Sequence, residues 1–498
     1  MPLKWIANLS PAPEAPKMIL AAPGSVGPRR RLTKVLAAGS LLVVAARPWP
    51  GPLPGAAHLA PASPFTVTNL NPSGPGSLLQ AVQDANANPG SDTIAFSAGL
   101  HGTIALTTTL QVTDTVDIQG PGPGKLSVSG GNIRRVFYLG APAQTAHFVV
   151  SISGLTVRDG QYSGFNGGGG IRDSLADLTL DQVDVISNTA PGDRGGGISF
   201  VSNDDTQLDA SLTIRNSLIS GNAARYGGGL EVHYVSGAVT ISNTTFLSNS
   251  AESQGGGAFF YMDNGDITLE DSSILSNTLS PGGGHRGGGL SLEKSNGGQT
   301  TIRRTTIANN SAGVGAGLYL DLWGTSPVVF ENSTISGNHA SFAGGGMRLY
   351  KSDDVTIRNS TIVSNSATNE GGGVDAVDHI PLIENSIVAG NSSFVGPDLH
   401  GTFGLLYDLV QLTNTAIISD SGGNLFGLDP LLGPLADHGG ATKTHLPLRH
   451  SPVINAGQPN FVPPPTTDQR GQPRVLEGRL DMGAAESEPD LFLPLVRR

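Results

Sequence analysis

The sequence of 498 residues has no cysteine, few charged residues and few aromatic residues. Without cysteine there is no disulfide framework, no thiolate metal site and no cysteine nucleophile. Only 14% of the residues are charged and the net charge is −11, so a basic surface for nucleic acid is not expected. No apolar run reaches the roughly 20 residues that a membrane-spanning helix needs. Glycine is abundant instead, with 69 residues.

A short phrase recurs eight times between residues 180 and 391. An aliphatic residue or Phe stands three positions before an Asn, and another apolar residue stands eight positions before it. A glycine cluster followed by an apolar residue separates successive phrases. The Asn residues are Asn188, Asn222, Asn249, Asn277, Asn310, Asn338, Asn365 and Asn391. Their spacings run from 26 to 34 residues with a mean of 29, and a period of this size indicates a stacked solenoid.

Each repeat contains three short β-rich runs and shows no helical periodicity. Stacked in register, these runs predict an all-β parallel β-helix over residues 65–425, with coils about 4.8 Å apart. The eight Asn residues are expected to form a structural ladder, each amide bonding the next. Residues 77–86 have the pattern of an amphipathic helix with an N-cap at Ser77, and we expect this helix to cap the first coil.

The N-terminal region has the pattern of an export signal. A basic stretch at 29–34 precedes an apolar run from Val35 to Ala46, which is too short to span a bilayer. Its Arg-Arg-x-Leu-x-Lys order is typical of a twin-arginine signal, and an ordinary Sec signal remains the alternative. Residues 47–64 are rich in Pro and Ala and have the composition of a linker. We therefore predict an export signal and linker at 1–64, and an extracellular or surface-attached protein.

The paired GGG-Ile/Leu and Phe/Ile-x-x-Asn phrases resemble the repeats of chlamydial polymorphic outer-membrane proteins. More broadly, they resemble right-handed parallel β-helix proteins of the pectin-lyase-like class, which implies right-handed coils. Residues 426–487 resemble a choice-of-anchor Q segment, which ends exported surface proteins, and an apolar then basic tail follows at 488–498. The motifs that carry this second resemblance are Asp429–Gly433, Asp437–Gly440, Ser451–Gly457, Asp468–Gly471 and Asp481–Ala484. Neither resemblance implies one activity, since this fold hosts lyases, glycosidases and adhesins alike.

The strand after each glycine cluster alternates with period two, so its outward residues should stack coil upon coil. Aromatic rings on this face would stack on sugars, and its acids would bond hydroxyl groups. In the alternative interpretation the same side chains cover one another and stabilise the sheet as cross-strand pairs. The predicted ligand-binding residues are Glu231, His233, Phe259, Tyr261, Tyr319, Trp323, Tyr350 and Asp375.

Two acids on this face have the spacing of a catalytic pair. Glu293 and Asp321 fall at the same position of adjacent coils, a separation that suits retaining glycoside hydrolysis, and their like charges should raise one pKa. Arg348, one coil further on, and His285 and Arg286, in a loop that precedes Glu293, would complete such a site. The competing interpretation is a solvated charge pair, because no motif of the pectin-acting families accompanies these residues.

Our main hypothesis is therefore a secreted or cell-surface β-helix protein, non-catalytic and adhesin-like, that binds polysaccharide or another surface. The alternative is a polysaccharide lyase or glycoside hydrolase. No cofactor or metal is expected, because calcium has no clear set of Asp ligands and the His residues show no metal-ligand spacing. We expect a monomer whose partner is a polysaccharide or a cell-surface ligand, without nucleic acid or a transmembrane span.

Overall fold

The computed structural model describes residues 64–487 apart from 142–144, 166, 202–208, 281, 283, 296, 352–353 and 476–477. The predicted export signal and linker at 1–64, except Pro64, lie outside the described residues, as does the tail at 488–498. Within the described residues the chain forms a parallel β-solenoid, as the repeat predicts, and it is built from three sheets. Most coils of the repeat region hold four strands rather than the predicted three, because the residues that follow the ladder Asn form an additional strand.

The largest sheet has 25 strands in the described chain and covers two sides of the solenoid. We call it the long sheet. Its strands pair in parallel from coil to coil. They are Phe65–Val67, Asp92–Phe96, Gly102–Ala105, Val116–Gln119, Leu126–Ser129, Phe148–Arg158, Ala176–Ile186, Leu212–Arg215, Leu218–Ser220, Val239–Ser242, Thr245–Leu247, Ile267–Glu270, Ser273–Leu275, Thr300–Arg303, Thr306–Ala308, Val328–Glu331, Thr334–Ser336, Val355–Arg358, Thr361–Val363, Leu382–Glu384, Ile387–Ala389, Thr402–Leu406, Leu409–Val410, Ile417–Asp420 and Leu425–Phe426.

Two further sheets complete each coil. The site sheet contains the strands that follow the glycine clusters, together with the corresponding strands of the first coils. The side sheet contains the strands between a ladder Asn and the next glycine cluster. The site sheet consists of Leu110–Val112, Phe137–Leu139, Ile171–Asp173, Ile198–Val201, Leu230–Val235, Ala258–Met262, Leu290–Lys294, Leu318–Leu322, Met347–Tyr350, Val374–Val377 and Leu399–His400. The side sheet consists of Thr189–Arg194, Ala223–Tyr226, Ser250–Gln254, Thr278–Leu279, Ser311–Val314, His339–Ala343 and Ser366–Ala367.

One continuous apolar core fills the solenoid. The residues three and eight positions before each ladder Asn point inward, as predicted, for example Ile274 and Leu269. The first and third residues of the site strands also point inward, for example Leu292. Each such side chain contributes about 1.5–3 kcal/mol when fully buried. Stacking therefore stabilises a chain that has no disulfide.

The predicted Asn ladder is present and buried. Asn277 Nδ2 donates to Asn310 Oδ1 at 3.0 Å and to the carbonyl of Phe246 at 3.1 Å. Its own Oδ1 accepts from the backbone and side-chain N–H groups of Asn249. The ladder ends at a carboxylate, because Asn391 donates its backbone N–H and Nδ2 to Asp398 Oδ1. Burial raises the pKa of Asp398 to about 6.

The glycine clusters have a steric origin. The first glycine of each cluster, such as Gly255, takes a left-handed φ (+61°) that side chains disfavour. A Cβ at the third glycine, Gly257, would lie 2.6 Å from the carbonyl oxygen of Gly289 and against the ladder amide of Asn277. The clusters therefore form the tight corner between the side sheet and the site sheet.

The predicted capping helix spans Leu78–Ala87, and the Ser77 hydroxyl accepts from the backbone N–H of Gln80 at 3.2 Å. Leu78, Ala81, Val82 and Ala85 are buried in the core against the first strands. No helix in the described part of the chain has the length and apolar character needed to cross a membrane.

The predicted segment 426–487 begins at the last residue of the long sheet, and residues 427–487 fold back along the flank of the solenoid. Gln469 bridges two coils, accepting from the Thr334 hydroxyl at 2.6 Å and donating to the Thr306 hydroxyl at 2.9 Å. Val453 and Met482 pack on outward residues of the long sheet, which are Val363, Ile387, Ala389 and Leu409. Those outward positions are therefore buried, whereas equivalent residues of earlier coils, such as Leu247 and Leu275, are half-buried.

Candidate functional site

The outward face of the site sheet, here called the site face, carries two rows of side chains in the predicted register. In the first row, Glu231 pairs with Phe259, and Tyr319 pairs with Arg348. In the second row, consecutive coils carry His233, Tyr261, Glu293, Asp321 and Tyr350. The alignment read from the Asn phrases is thus confirmed residue by residue.

The two rows differ in exposure. The first row is covered, and its predicted ligand-binding residues Glu231, Phe259, Tyr319 and Asp375 are all buried. Side chains from the side sheet lie over this row: Arg194 is 3.3 Å from Glu231, and the ring of Tyr226 is 6.1 Å from that of Phe259. Sequence alternation identifies an outward residue but not the neighbour that covers it. These four residues build the floor of the site and are not placed to touch a ligand directly.

The accessible surface comes from the second row and its edge. Trp323, just beyond the end of its site strand, is 56% exposed. The ammonium of Lys351 lies 4.1 Å from the Trp323 ring centroid and 5.2 Å from that of Tyr350. His233, Tyr261 and Tyr350 are half-buried. This part of the site face presents flat aromatic surface beside polar groups.

The predicted acid pair occupies the centre of the second row. Glu293 and Asp321 are register partners, and one cation serves both: Arg286 Nη1 lies 3.3 Å from Glu293 Oε1 and 3.9 Å from Asp321 Oδ2. Gln254 Nε2 also donates to Glu293 Oε1 at 3.1 Å. Asp321 Oδ1 is buried and has no hydrogen-bond partner among the described residues.

Burial sets the protonation of this centre. It raises the pKa of Glu293, against the lowering effect of Arg286, and the charge of Asp321 raises it further. Burial likewise raises the pKa of Asp321, while Arg286 and Lys351 oppose the shift. The pKa of Tyr319 is raised mainly by burial, so its hydroxyl stays protonated. Two acids biased toward the neutral form can bond sugar hydroxyl groups, or exchange a proton.

Arg348 does not join the acid pair. Its Nη1 donates to Asp375 Oδ2 at 2.6 Å, and His400 Nδ1 lies 2.8 Å from Asp375 Oδ1. The predicted catalytic role of Arg348 therefore has no geometric support, and Arg286 is the cation at the pair. The repeat shows which coil carries a side chain. It does not show whether that side chain contacts the residues of the preceding coil or those of the following coil.

A possible cation-binding group lies around the same carboxylate. One ligand atom each from Glu370, Asp375 and His400 falls within 4.8 Å of the others. Arg348 already neutralises Asp375, so a cation there would have to displace the guanidinium. Beyond this group, a pocket of about 590 Å³ is lined by Ala376, Asp378, His379, Ile380, Gly401 and Thr402.

Several residues of the site were not predicted from sequence. Arg194, Gln254 and Glu370 come from the side of the coil that precedes the glycine cluster, and His400 comes from the last, shortest site strand. Their signal is positional: in most coils, the residue directly before or two before the first glycine is long and polar or aromatic, although Gly313 and Val314 precede Gly315. Tyr234 was missed for another reason, because it is an extra residue in its strand.

The model of the family described as right-handed β-helix region matches residues 255–417. This range contains the coils that carry Glu293, Asp321, Trp323 and Tyr350, and the match agrees with the predicted right-handed coils. No curated protein matches the sequence.

Proposed function

We propose that this chain is an exported, surface-located and non-catalytic β-helix protein that binds polysaccharide along the second row of the site face. The observation that carries the proposal is the exposed ring of Trp323, with Tyr350 and Lys351 beside it and the Glu293–Asp321 pair in the same row. An exposed indole next to paired carboxyl groups offers both stacking and hydroxyl recognition.

Export rests on the sequence pattern at 29–46 and surface attachment on the choice-of-anchor resemblance of 426–487. The secretion part is tested separately from binding. Residues 1–64 fused to a reporter in a bacterial host should direct it out of the cytoplasm, and replacing Arg29, Arg30 and Arg31 by Gln should retain it there. Reporter export that is independent of residues 1–64 would contradict this part. Gel filtration of the purified chain tests the expected monomer.

Binding is tested with the full chain on an array of neutral and acidic oligosaccharides, followed by calorimetry with the strongest binder. The double variant Trp323→Ala, Tyr350→Ala should lose most of the affinity while keeping its fold. Phe426→Ala is the matched control, because Phe426 is 41% exposed on the long sheet, away from the site face. Equal affinity in the double variant would exclude this surface as the binding site.

The second candidate function is glycoside hydrolysis or polysaccharide lysis by Glu293 and Asp321. The observation in its favour is that both carboxyl groups have raised pKa values and share Arg286. Incubation with uronate-containing and neutral polysaccharides, assayed for reducing ends and for unsaturated products, tests it. Cleavage that is abolished by Glu293→Gln would replace the non-catalytic proposal, and cleavage that survives this change would exclude Glu293 as the catalytic residue.

A further inference from the structure

Tyr234 is an additional residue in the site sheet. In the pairing of Leu230–Val235 with Ala258–Met262, His233 aligns with Tyr261 and Val235 aligns with Met262, so the register skips Tyr234. In the next coils the second-row residue is followed directly by an inward residue, as in Glu293–Lys294. A one-residue bulge of this kind re-aims a side chain.

The bulge has an energetic cost. Tyr234 has a φ of +54°, in the left-handed region where a residue with a Cβ costs roughly 1–2 kcal/mol. Glycine would take this conformation without that cost. A tyrosine in its place is therefore held by surrounding contacts.

The contacts at Tyr234 form a three-ring group on the site face. Tyr234 meets Tyr261 edge to face, with 5.1 Å between the ring centroids and an interplanar angle of 85°. It meets His233 in the same manner at 4.4 Å. His233 stacks on Tyr261 at 4.9 Å, and its Nδ1 lies 3.2 Å from the buried Glu231 carboxylate. All three rings are half-buried, so each keeps part of its surface in solvent.

We propose that the bulge at Tyr234 builds a stacking subsite for one sugar ring, formed with Tyr261 and His233. The inference rests on the proposed function and adds a contact that the sequence pattern did not assign. Tyr261 and Tyr350 are three coils apart in the second row, about 14 Å at the ordinary strand spacing. An extended oligosaccharide along the row therefore contacts rings at both ends and the Glu293–Asp321 pair between them.

The test uses the glycan array and calorimetry on the full chain with Tyr234→Gly. Glycine keeps the left-handed backbone and removes the ring, so the melting temperature should not fall. Affinity for the strongest array binder should fall about tenfold, the loss expected for one stacking contact. Tyr234→Asn, which also tolerates this conformation, gives a second ring-free variant if the glycine variant does not fold. Asn243→Gly is the control, since Asn243 also has a positive φ (+46°) but lies on the long-sheet side.

The outcomes separate the two proposals. Unchanged affinity in Tyr234→Gly and Tyr234→Asn, with affinity lost in the Trp323 and Tyr350 variant, overturns the subsite and leaves the proposed function standing. A wild-type chain that binds no oligosaccharide on the array overturns both. A loss of affinity that appears equally in Asn243→Gly also overturns the subsite, because the effect would then be general.

Discussion

Lys294 and Leu322 are register partners in neighbouring coils, and both point into the core. Met262 holds the same position one coil earlier. Lys294 is 1% exposed, and its ammonium has no hydrogen-bond partner among the described residues. Burial lowers the pKa of Lys294 from 10.5 to about 8. One cation thus lies in a row of apolar side chains.

We predict that Lys294→Met stabilises the protein at pH 7. The change removes a buried charge, and Met262 shows that the position accepts a thioether. Wild type carries a cost on the order of 3 kcal/mol below pH 8. In the folded state Lys294 releases its proton near pH 8 but in the unfolded state only near 10.5, so wild-type stability should rise across that window. Denaturant unfolding at pH 7 and pH 10 measures the free energy of unfolding of wild type and variant. A Lys294→Met protein that is less stable than wild type at pH 7 would contradict the prediction.

A second prediction concerns the middle of the Asn ladder. Asn277→Ala removes the side-chain oxygen that accepts hydrogen bonds from the backbone N–H and the Nδ2 of Asn249. The buried backbone N–H of Asn249 is then left without a partner. We expect a loss of about 3 kcal/mol in the free energy of unfolding. Thr278→Ala, at the exposed next residue, is the control and should change stability by less than about 0.5 kcal/mol. Equal stability of the two variants would show that the ladder contributes little.

The ladder also explains how far the sequence determines this fold. The phrase around Asn277 fixes Leu269 and Ile274 as inward residues, and through them the register of Tyr261, Glu293 and Asp321 on the site face. These alignments follow from a fixed period and from the side-chain alternation of strands, which are local rules.

What the sequence does not determine is the environment of each outward residue. Tyr319 and Tyr350 are both outward residues of site strands, yet Tyr319 lies under Arg286, whose guanidinium carbon is 4.9 Å from its ring centroid, whereas Tyr350 is partly open to solvent. Whether an outward residue of a site strand is shielded from solvent depends on long side chains from another part of the coil. The packing of 426–487 on the flank is likewise a long-range contact without a local signal, apart from small outward residues such as Ala308 and Ser336.

A third prediction addresses the floor of the site. In Asp375→Asn an amide replaces the buried carboxylate whose two oxygens contact Arg348 and His400. One oxygen becomes an NH₂ group, and Arg348 loses its negatively charged partner. We expect a stability loss of about 2–4 kcal/mol. Asp378→Asn, at an exposed position beyond the same strand, should be neutral. Thermal unfolding compares the two, and unchanged stability in Asp375→Asn would mean that Asp375 has no structural role.

The last prediction concerns the attachment of residues 426–487 to the solenoid through a buried ion pair. Arg474 Nη1 donates to Glu486 Oε1 at 2.9 Å, and its Nη2 donates to Asn332 Oδ1 at 3.0 Å and to the carbonyl of Asn359 at 3.1 Å. Arg474 and Glu486 are each no more than 1% exposed, and burial raises the pKa of Glu486, a rise that Arg474 opposes.

Arg474→Ala leaves the Glu486 carboxyl buried without its cation and removes both bonds to the solenoid. Breaking such a pair costs about 3–5 kcal/mol, so the flank segment should detach before the coils unfold. Limited proteolysis followed by mass spectrometry should show new cleavage within 427–487, while the coils at 212–410 stay protected. Arg303→Ala breaks a half-exposed pair with Glu270 and should leave the pattern unchanged. The same resistance to proteolysis in Arg474→Ala and wild type would show that the remaining contacts, among them those of Gln469, Val453 and Met482, suffice to hold the segment.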